Sequence, residues 1–362
     1  MDGEARPPAA HAPPADLTEV FAETVRAASE DGRALEIIGG GTKRFYGRSV
    51  AGEPLHVAGH CGVIDYEPSE LVITARGGTP LAEIEARLAQ HGQMLAFEPL
   101  DFGPASTLGG VIAAGLAGPR RPFAGAVRDS ILGVTVLDGR GRPNRLGGTV
   151  FKNVAGFDGF RLQAGALGCL GVLLDISLRV APRPASEVTV ALEESWPTAA
   201  GRLAALLRRP TPLSGAMHDG YRLWLRLSGP AGAVEKAATG LGGERSEGEV
   251  WSRLRRFELP VLEAPRLWRL SIPRAALLRD LPGEVLRDWA GAQVWLASDA
   301  PAEHVRGLAH EAGGHAALVR GAQAGEPVFE SLPEPLLALH QRVKAAFDPA
   351  GVFNPGRMYE SL

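Results

Sequence analysis

Cysteine is almost missing from this chain: Cys61 and Cys169 are the only two. Two thiols cannot build a disulfide framework or hold an iron–sulfur cluster, and so few suit a reducing cytoplasm. An excess of one charge is lacking as well. The 38 basic and 41 acidic residues leave a net charge of −3 at pH 7, which gives no basic footprint and excludes nucleic acid as the expected partner. No long apolar run is present. The longest charge-free stretch, Phe102 to Pro119, is broken by glycine and proline, so no membrane span is expected. The opening Met1-Asp2-Gly3-Glu4 lacks the basic and apolar regions of a secretory signal. Neither a repeat of fixed period nor a low-complexity tract occurs.

What the chain has in quantity is glycine. There are 46 in 362 residues, nearly twice the usual share of about 7%, and they cluster between residues 39 and 171. Such clustering points to loops built from backbone. The apolar and charged shares, 45% and 22%, are those of an ordinary globular protein, and the length predicts two domains or one with an insertion.

Periodicity orders the elements. Residues 1–15 read as a flexible arm. Asp16 and Glu19 suggest a capping box for a helix whose apolar face holds Leu17, Val20, Phe21, Val25 and Ala28. A strand at Leu35–Ile38 runs into Gly39-Gly40-Gly41-Thr42-Lys43. A strand from Leu71 leads through Gly77-Gly78 to a helix with Thr79 as cap, Pro80 at its first position and a buried stripe of Leu81, Ile84 and Leu88. Residues 131–137 and 144–146 pair around an Asp138-Gly139 turn. Residues 172–180 alternate, which predicts a strand with one solvated face. After Pro182-Arg183-Pro184 the glycine pattern stops, and strands near 187–192, 222–228, 267–272, 293–297 and 315–319 alternate with helices at 198–208, 231–240 and 302–312. A last helix, 334–347, precedes Asp348-Pro349-Ala350-Gly351-Val352-Phe353-Asn354-Pro355-Gly356-Arg357.

Three glycine segments carry the chemistry. A dinucleotide's pyrophosphate needs several backbone N–H donors aimed at it, and successive glycines allow the approach. Residues Gly39, Gly40, Gly41, Thr42 and Lys43 form such a nest directly after a strand. The Rossmann fingerprint is absent, because Arg44-Phe45-Tyr46-Gly47 lacks its third glycine, and the spacing of a P-loop is absent too. The second segment is Pro104-Ala105-Ser106-Thr107-Leu108-Gly109-Gly110. The third is Gly165-Ala166-Leu167-Gly168-Cys169-Leu170-Gly171-Val172.

In this order and at these separations, the three segments resemble the p-cresol methylhydroxylase-type FAD-binding domain across residues 16–183. Gly118-Pro119-Arg120-Arg121, Phe151-Lys152-Asn153-Val154-Ala155-Gly156-Phe157-Asp158, Leu213-Ser214-Gly215-Ala216, Gly291-Ala292-Gln293 and the closing FDPAGVFNPGR are further similar to the FAD-binding E-subunit family of bacterial glycolate oxidases. The resemblance implies an α+β chain: a two-part FAD-binding domain (16–183), a smaller α+β cap domain for substrate or subunit contact (184–333), and a C-terminal segment (334–362) returning to the FAD domain. It implies that Gly39, Gly40, Gly41, Thr42 and Lys43 hold the pyrophosphate. Thr107, Leu108, Gly109 and Gly110 would run along pyrophosphate and flavin, with Gly165, Gly168, Gly171 and Val172 at the adenosine half and Asn354 in the returning turn. The wider family commonly has Ser-Glu-Gly-Thr where this chain has Ala166-Leu167-Gly168-Cys169, so backbone contacts are expected there rather than side-chain ones. No His or Cys stands in loops 39–43 or 104–115, and FAD is expected to be non-covalent.

The function implied is that of an FAD subunit in a complex oxidising glycolate to glyoxylate. The expected partners are a catalytic FAD subunit and an iron–sulfur subunit, in the cytoplasm or peripheral to the inner membrane through those partners. Two alternatives stand beside it: a self-sufficient oxidase or dehydrogenase of another 2-hydroxy acid such as D-lactate, and an assembly subunit with a vestigial FAD site. The nine histidines form no H-x-H or H-E-x-x-H pattern, so no metal site is expected, and no catalytic residue is assigned. Arg120 and Arg121 fit either an anion or a solvated, subunit-facing pair. His218 and Asp219, neighbours in a strand, point to opposite faces.

Overall fold

The computed structural model describes residues 15–149, 158–276, 278, 280–323 and 325–362. Apart from Ala15, the arm expected at 1–15 lies outside the described residues, and so does the stretch 151–157 quoted above.

Among the described residues, four sheets organise the chain. Leu35–Ile38 pairs in parallel with Glu53–His56. A five-stranded antiparallel sheet places Val63–Glu67, Val72–Arg76, Val172–Arg179, Ile131–Leu137 and Pro143–Gly147 in that spatial order. Gln93–Met94 pairs with Ala181–Pro182. The eight-stranded antiparallel sheet is drawn wholly from residues 186–320, with Ser186–Glu193, Arg222–Gly229, Leu213–His218 and Glu284–Asp288 side by side. It continues through Gln293–Ala297 and Leu267–Ser271 to His315–Arg320 at one edge.

The Leu81–Ala89 and Leu108–Ala114 helices cover the five-stranded sheet, and Leu81, Ile84, Leu88, Leu108 and Ile112 fill the core with Ile176 and Leu178. Phe21, Val25 and Ala28 of the first helix, Thr18–Asp31, pack with Leu35, Leu55, Val352 and Phe353. A third cluster joins Tyr46, Ala114, Leu116 and Leu167 to Trp251, Leu286 and Trp295. The large sheet is thereby welded to the glycine loops by apolar burial, the dominant favourable term in such packing.

Several local expectations need correction. The first helix begins at Thr18, not beside Asp16: the Asp16 carboxylate takes the Thr18 N–H at 3.0 Å, while the Leu17 N–H goes to His60 Nδ1 at 3.0 Å. Val20, placed on the buried face, is 56% exposed. The second helix begins at Leu81 with Pro80 as its cap, because the Thr79 hydroxyl is committed to Gly62 and to the Arg76 carbonyl. The 172–179 strand does not keep one solvated face. Its register slips against Val136, so Val172 and Leu174 join the first-helix core while Ile176 and Leu178 join the other. A one-residue slip of this kind sends side chains to the opposite face.

Candidate functional site

The first glycine loop leaves the parallel ribbon at Gly39. The ribbon's other edge is closed by the C-terminal segment: Leu35 N–H donates to the Val352 carbonyl at 2.7 Å and Asn354 N–H to the Leu35 carbonyl at 2.9 Å. The loop then lies directly on the second glycine segment. A Cβ on Gly39 would stand 2.6 Å from Thr107 Oγ1, and one on Gly40 would stand 1.5 Å from the Ala105 carbonyl oxygen. Both glycines are therefore required by loop-on-loop packing, before any ligand is considered.

Among the described residues, none of the N–H groups from Gly39 to Lys43 donates to a backbone carbonyl. Gly41 has φ of 69°, a left-handed conformation that suits such a nest. Lys43 Nζ sits 3.3 Å from both Thr42 Oγ1 and Ser106 Oγ, hydroxyls that are 3.2 Å apart. Burial pushes the Lys43 ammonium down to about 8, opposed only by the charge of Asp101. An ammonium stripped of water, with hydroxyls for neighbours and unspent N–H donors beside it, fits an anion with several acceptor oxygens.

The cleft on this nest continues through two adjoining pockets that share Ile37, Gly39, Thr107, Gly110, Leu167 and Asn354. Gly40, Gly41, Thr42 and Lys43 line the first; Gly109, Gly168 and Gly171 line the second. Three residues singled out in the sequence are not brought to this cleft. Leu108 and Val172 are fully buried in two separate cores, and Gly165 lines a different cavity on the far side of Ala114. The donors of the second segment are also spent inside the protein. Leu108 N–H goes to the Thr79 carbonyl at 2.9 Å, Gly109 N–H to the Gly77 carbonyl at 2.7 Å, and Gly110 N–H to Thr107 Oγ1 at 3.2 Å.

Asn354 acts as a clip. Its Oδ1 accepts the Ile37 N–H at 2.8 Å and its Nδ2 donates to the Leu167 carbonyl at 2.6 Å, joining the first and third segments from a position with φ of 42°. Two residues that the sequence reading passed over do similar work. Lys344 Nζ donates to Asp348 Oδ2 and to the carbonyls of Cys169 and Phe353 within 2.8 Å. The Arg357 guanidinium donates to the carbonyls of Arg48, Lys43, Arg44 and Tyr46. Their signals were present: a Lys and an Asp four apart on a helix end, and an Arg directly after Asn-Pro-Gly. Burial pushes the Cys169 thiol up to about 11, and its Sγ faces the Asn354 carbonyl at 3.7 Å. It is not among the residues lining the cleft.

The arginine pair separates. Arg120 is enclosed, with Nη2 at 2.8 Å from Glu187 and Nε at 3.2 Å from Glu98, whereas Arg121 stacks on Trp289 at 4.2 Å. His218 bonds the Glu194 carbonyl and the Gly220 N–H, while Asp219 caps a turn at Tyr221 and Arg222 and accepts from Trp224 Nε1, so the two form no dyad. Among the described residues no group of three or more His, Cys, Asp or Glu could hold a metal. Nor is any helix among them long and apolar enough to cross a membrane.

Comparison with known proteins decides the family. Residues 8–147 match the FAD binding domain family, and residues 321–358 match the C-terminal domain of FAD linked oxidases. Over 348 residues the chain is 46% identical to glycolate oxidase subunit GlcE of Escherichia coli (strain K12), covering 96% of this chain and 99% of that protein. The chain belongs to the GlcE family of glycolate oxidase subunits.

It is thus an FAD-dependent oxidoreductase family member with FAD as its cofactor. Weaker likeness links this GlcE-family chain to glycolate oxidase subunit GlcD of Bacillus subtilis (strain 168), 27% identical over 40% of this chain and 31% of that protein. D-lactate dehydrogenase of Anaerostipes hadrus is also 27% identical, over 35% of this chain and 26% of that one. Among solved structures, an alkyldihydroxyacetonephosphate synthase aligns with a TM-score of 0.67 at 16% identity, over 93% of this chain and 75% of that one. That likeness shows the fold, a p-cresol methylhydroxylase-type FAD-binding architecture.

Proposed function

We propose that this GlcE-family chain holds FAD non-covalently in the glycine cleft and serves in a complex that oxidises glycolate to glyoxylate. The observation that carries the reading is the half-buried Lys43 ammonium beside the unspent N–H groups of Gly39 to Lys43. Those groups, with Thr42, would hold the pyrophosphate. Thr107, Gly109 and Gly110 would form the floor of the cleft, and Gly168, Gly171 and the Asn354 clip would close its adenosine end. When bound, FAD supplies the hydride acceptor that alcohol oxidation requires. The chain's part is to orient it and exclude water. The buried, weakly acidic Cys169 supports a dissociable cofactor, because a thiol held neutral is a poor nucleophile.

With two cysteines the chain has too few ligands for an iron–sulfur cluster. Electrons would therefore leave through an iron–sulfur subunit and a catalytic flavoprotein, the complex lying in the cytoplasm or against the inner membrane through those partners. The division into an FAD domain over 16–183, a cap over 184–333 and a returning segment over 334–362 is part of the same reading. It is supported by the eight-stranded sheet being drawn only from residues 186–320.

The test is an absorbance spectrum of the isolated chain, then with glycolate, alone and with the partner subunits. A yellow chain whose flavin leaves on acid precipitation, and which bleaches with glycolate only in the complex, is the expected result. Bleaching by D-lactate in isolation would favour a self-sufficient dehydrogenase. A colourless chain with no FAD affinity would favour an assembly subunit and overturn the proposal.

A further inference from the structure

A cavity of about 340 Å3 lies across Ala114 from the glycine cleft, and Ala114 lines both. Its walls come from both parts of the chain. Gly115 and Gly165 belong to the glycine loops, Arg121 and Arg128 follow the second of these, and Arg269 and His315 project from two paired strands of the large sheet. Among the described residues, this lining holds three arginines and a histidine and no carboxylate.

The arginines differ in how their charge is met. Arg128 is exposed and has Asp129 at 3.9 Å. Arg121 and Arg269 have no carboxylate within ion-pair distance among the described residues; their neighbours are aromatic faces, Trp289 at 4.2 Å and Tyr46 at 5.7 Å. Burial and the charges of Arg269 and Arg128 hold the Arg121 guanidinium below its ordinary range, with the charge of Asp129 opposing. Two half-buried guanidinium groups that repel each other, stacked on rings and facing open space, present fork donors with nothing planar and anionic to receive them. Arg120, one residue away, shows the contrast, since its charge is consumed by Glu98 and Glu187.

We propose that this cavity binds the carboxylate of a small organic acid, with Arg121 and Arg269 as the anion-holding residues. The place of the cavity, next to the glycine cleft and roofed by the large sheet, puts that carboxylate beside the cofactor. The identity of the acid as a 2-hydroxy acid rests on the reading given under Proposed function; the anion site itself does not.

The test titrates oxalate, a non-oxidisable planar dicarboxylate, into the full chain with and without FAD, read by calorimetry and by tryptophan fluorescence, since Trp289 stacks on Arg121. Saturable binding is expected, weakened roughly tenfold or more in Arg121→Met and in Arg269→Met and much less in Arg128→Met. Arg121→Lys and Arg269→Lys serve where a methionine variant fails to fold, and are expected to retain part of the affinity. FAD occupancy is expected to stay unchanged throughout. Wild-type chain that binds no oxalate, or variants that bind it equally well, would overturn the proposal. So would variants that lose FAD in step with oxalate, since the arginines would then be holding the cofactor. A chain that takes up oxalate but no FAD would sink the flavin reading and leave this one standing.

Discussion

Lys43 is the residue on which charge, burial and geometry converge. Its ammonium has been taken out of water without a carboxylate in contact, and its pKa has fallen to about 8. A bound pyrophosphate restores a counter-charge and raises that pKa. The sign of the linkage follows. A group whose pKa rises on binding contributes affinity that is full below the free-state value and is lost as pH rises through the bound-state value. FAD affinity is therefore expected to be flat up to about pH 8 and to weaken above it, whereas Lys43→Met should bind more weakly and without that alkaline limb. Fluorescence titration of FAD from pH 6 to 10 checks this, and an unchanged limb in the variant would remove Lys43 from the site. Gly40 is less useful as a probe. Its would-be Cβ meets the Ala105 carbonyl, so a Gly40→Val variant tests the packing of two loops before it tests the cofactor.

At the scale of elements, the Glu334–Phe347 helix and the turn after it hold the cleft together from behind. Lys344 joins the third glycine segment to Asp348, and Asp348 in turn accepts the N–H groups of Val352 and Phe353. Removing the cation leaves a buried carboxylate without its partner, at a cost of about 3–5 kcal/mol. Lys344→Met is expected to lower the urea midpoint accordingly, with part of the loss recovered in the double variant Lys344→Met/Asp348→Asn. Equal midpoints for wild type and Lys344→Met would show that the clip is dispensable. Much of this level was legible in the sequence. The last helix runs from Glu334 to Phe347 as its periodicity predicts, and the strands at 131–137 and 293–297 have their expected ends. Helix starts were less legible. The Thr79 hydroxyl is also held by Gly62 and the Leu17 N–H by His60, 17 and 43 residues away, and each helix begins one residue later than the capping signals suggest.

Across the whole molecule, the glycine loops and the large sheet meet through buried charge as well as apolar contact. Glu98 reaches Arg226 at 2.6 Å and Arg120 at 3.2 Å, and Asp288 lies fully buried near the same group. Burial pushes the Asp288 carboxyl up to about 7, against hydrogen bonds from Trp289 N–H and Gln293 and the charge of Arg226. An acid whose folded-state pKa is raised favours folding most while protonated in both states. Its contribution declines from the unfolded value, about 4, until the folded value near 7. Asp288→Asn is expected to gain stability relative to wild type over that window and to hold the gain at pH 8. Urea unfolding at pH 5 and pH 8 measures the difference, and an equal gap at both would place the cause elsewhere than in titration.

The sequence alone determined the order of the glycine segments, the absence of a second class of nucleotide motif, and the family to which three loops in that order point. Such features are local: they depend on residue type and spacing, and backbone nests are built from neighbours in the chain. Tertiary structure alone decided which of those glycines face the cleft and which face another loop, and that Leu108 and Val172 belong to cores. It also decided that Arg120 is neutralised while its neighbour Arg121 is not, because Glu98 and Glu187 lie 22 and 67 residues away in sequence. Whether a buried charge is already paired depends on residues brought near by folding, and no spacing along the chain records that.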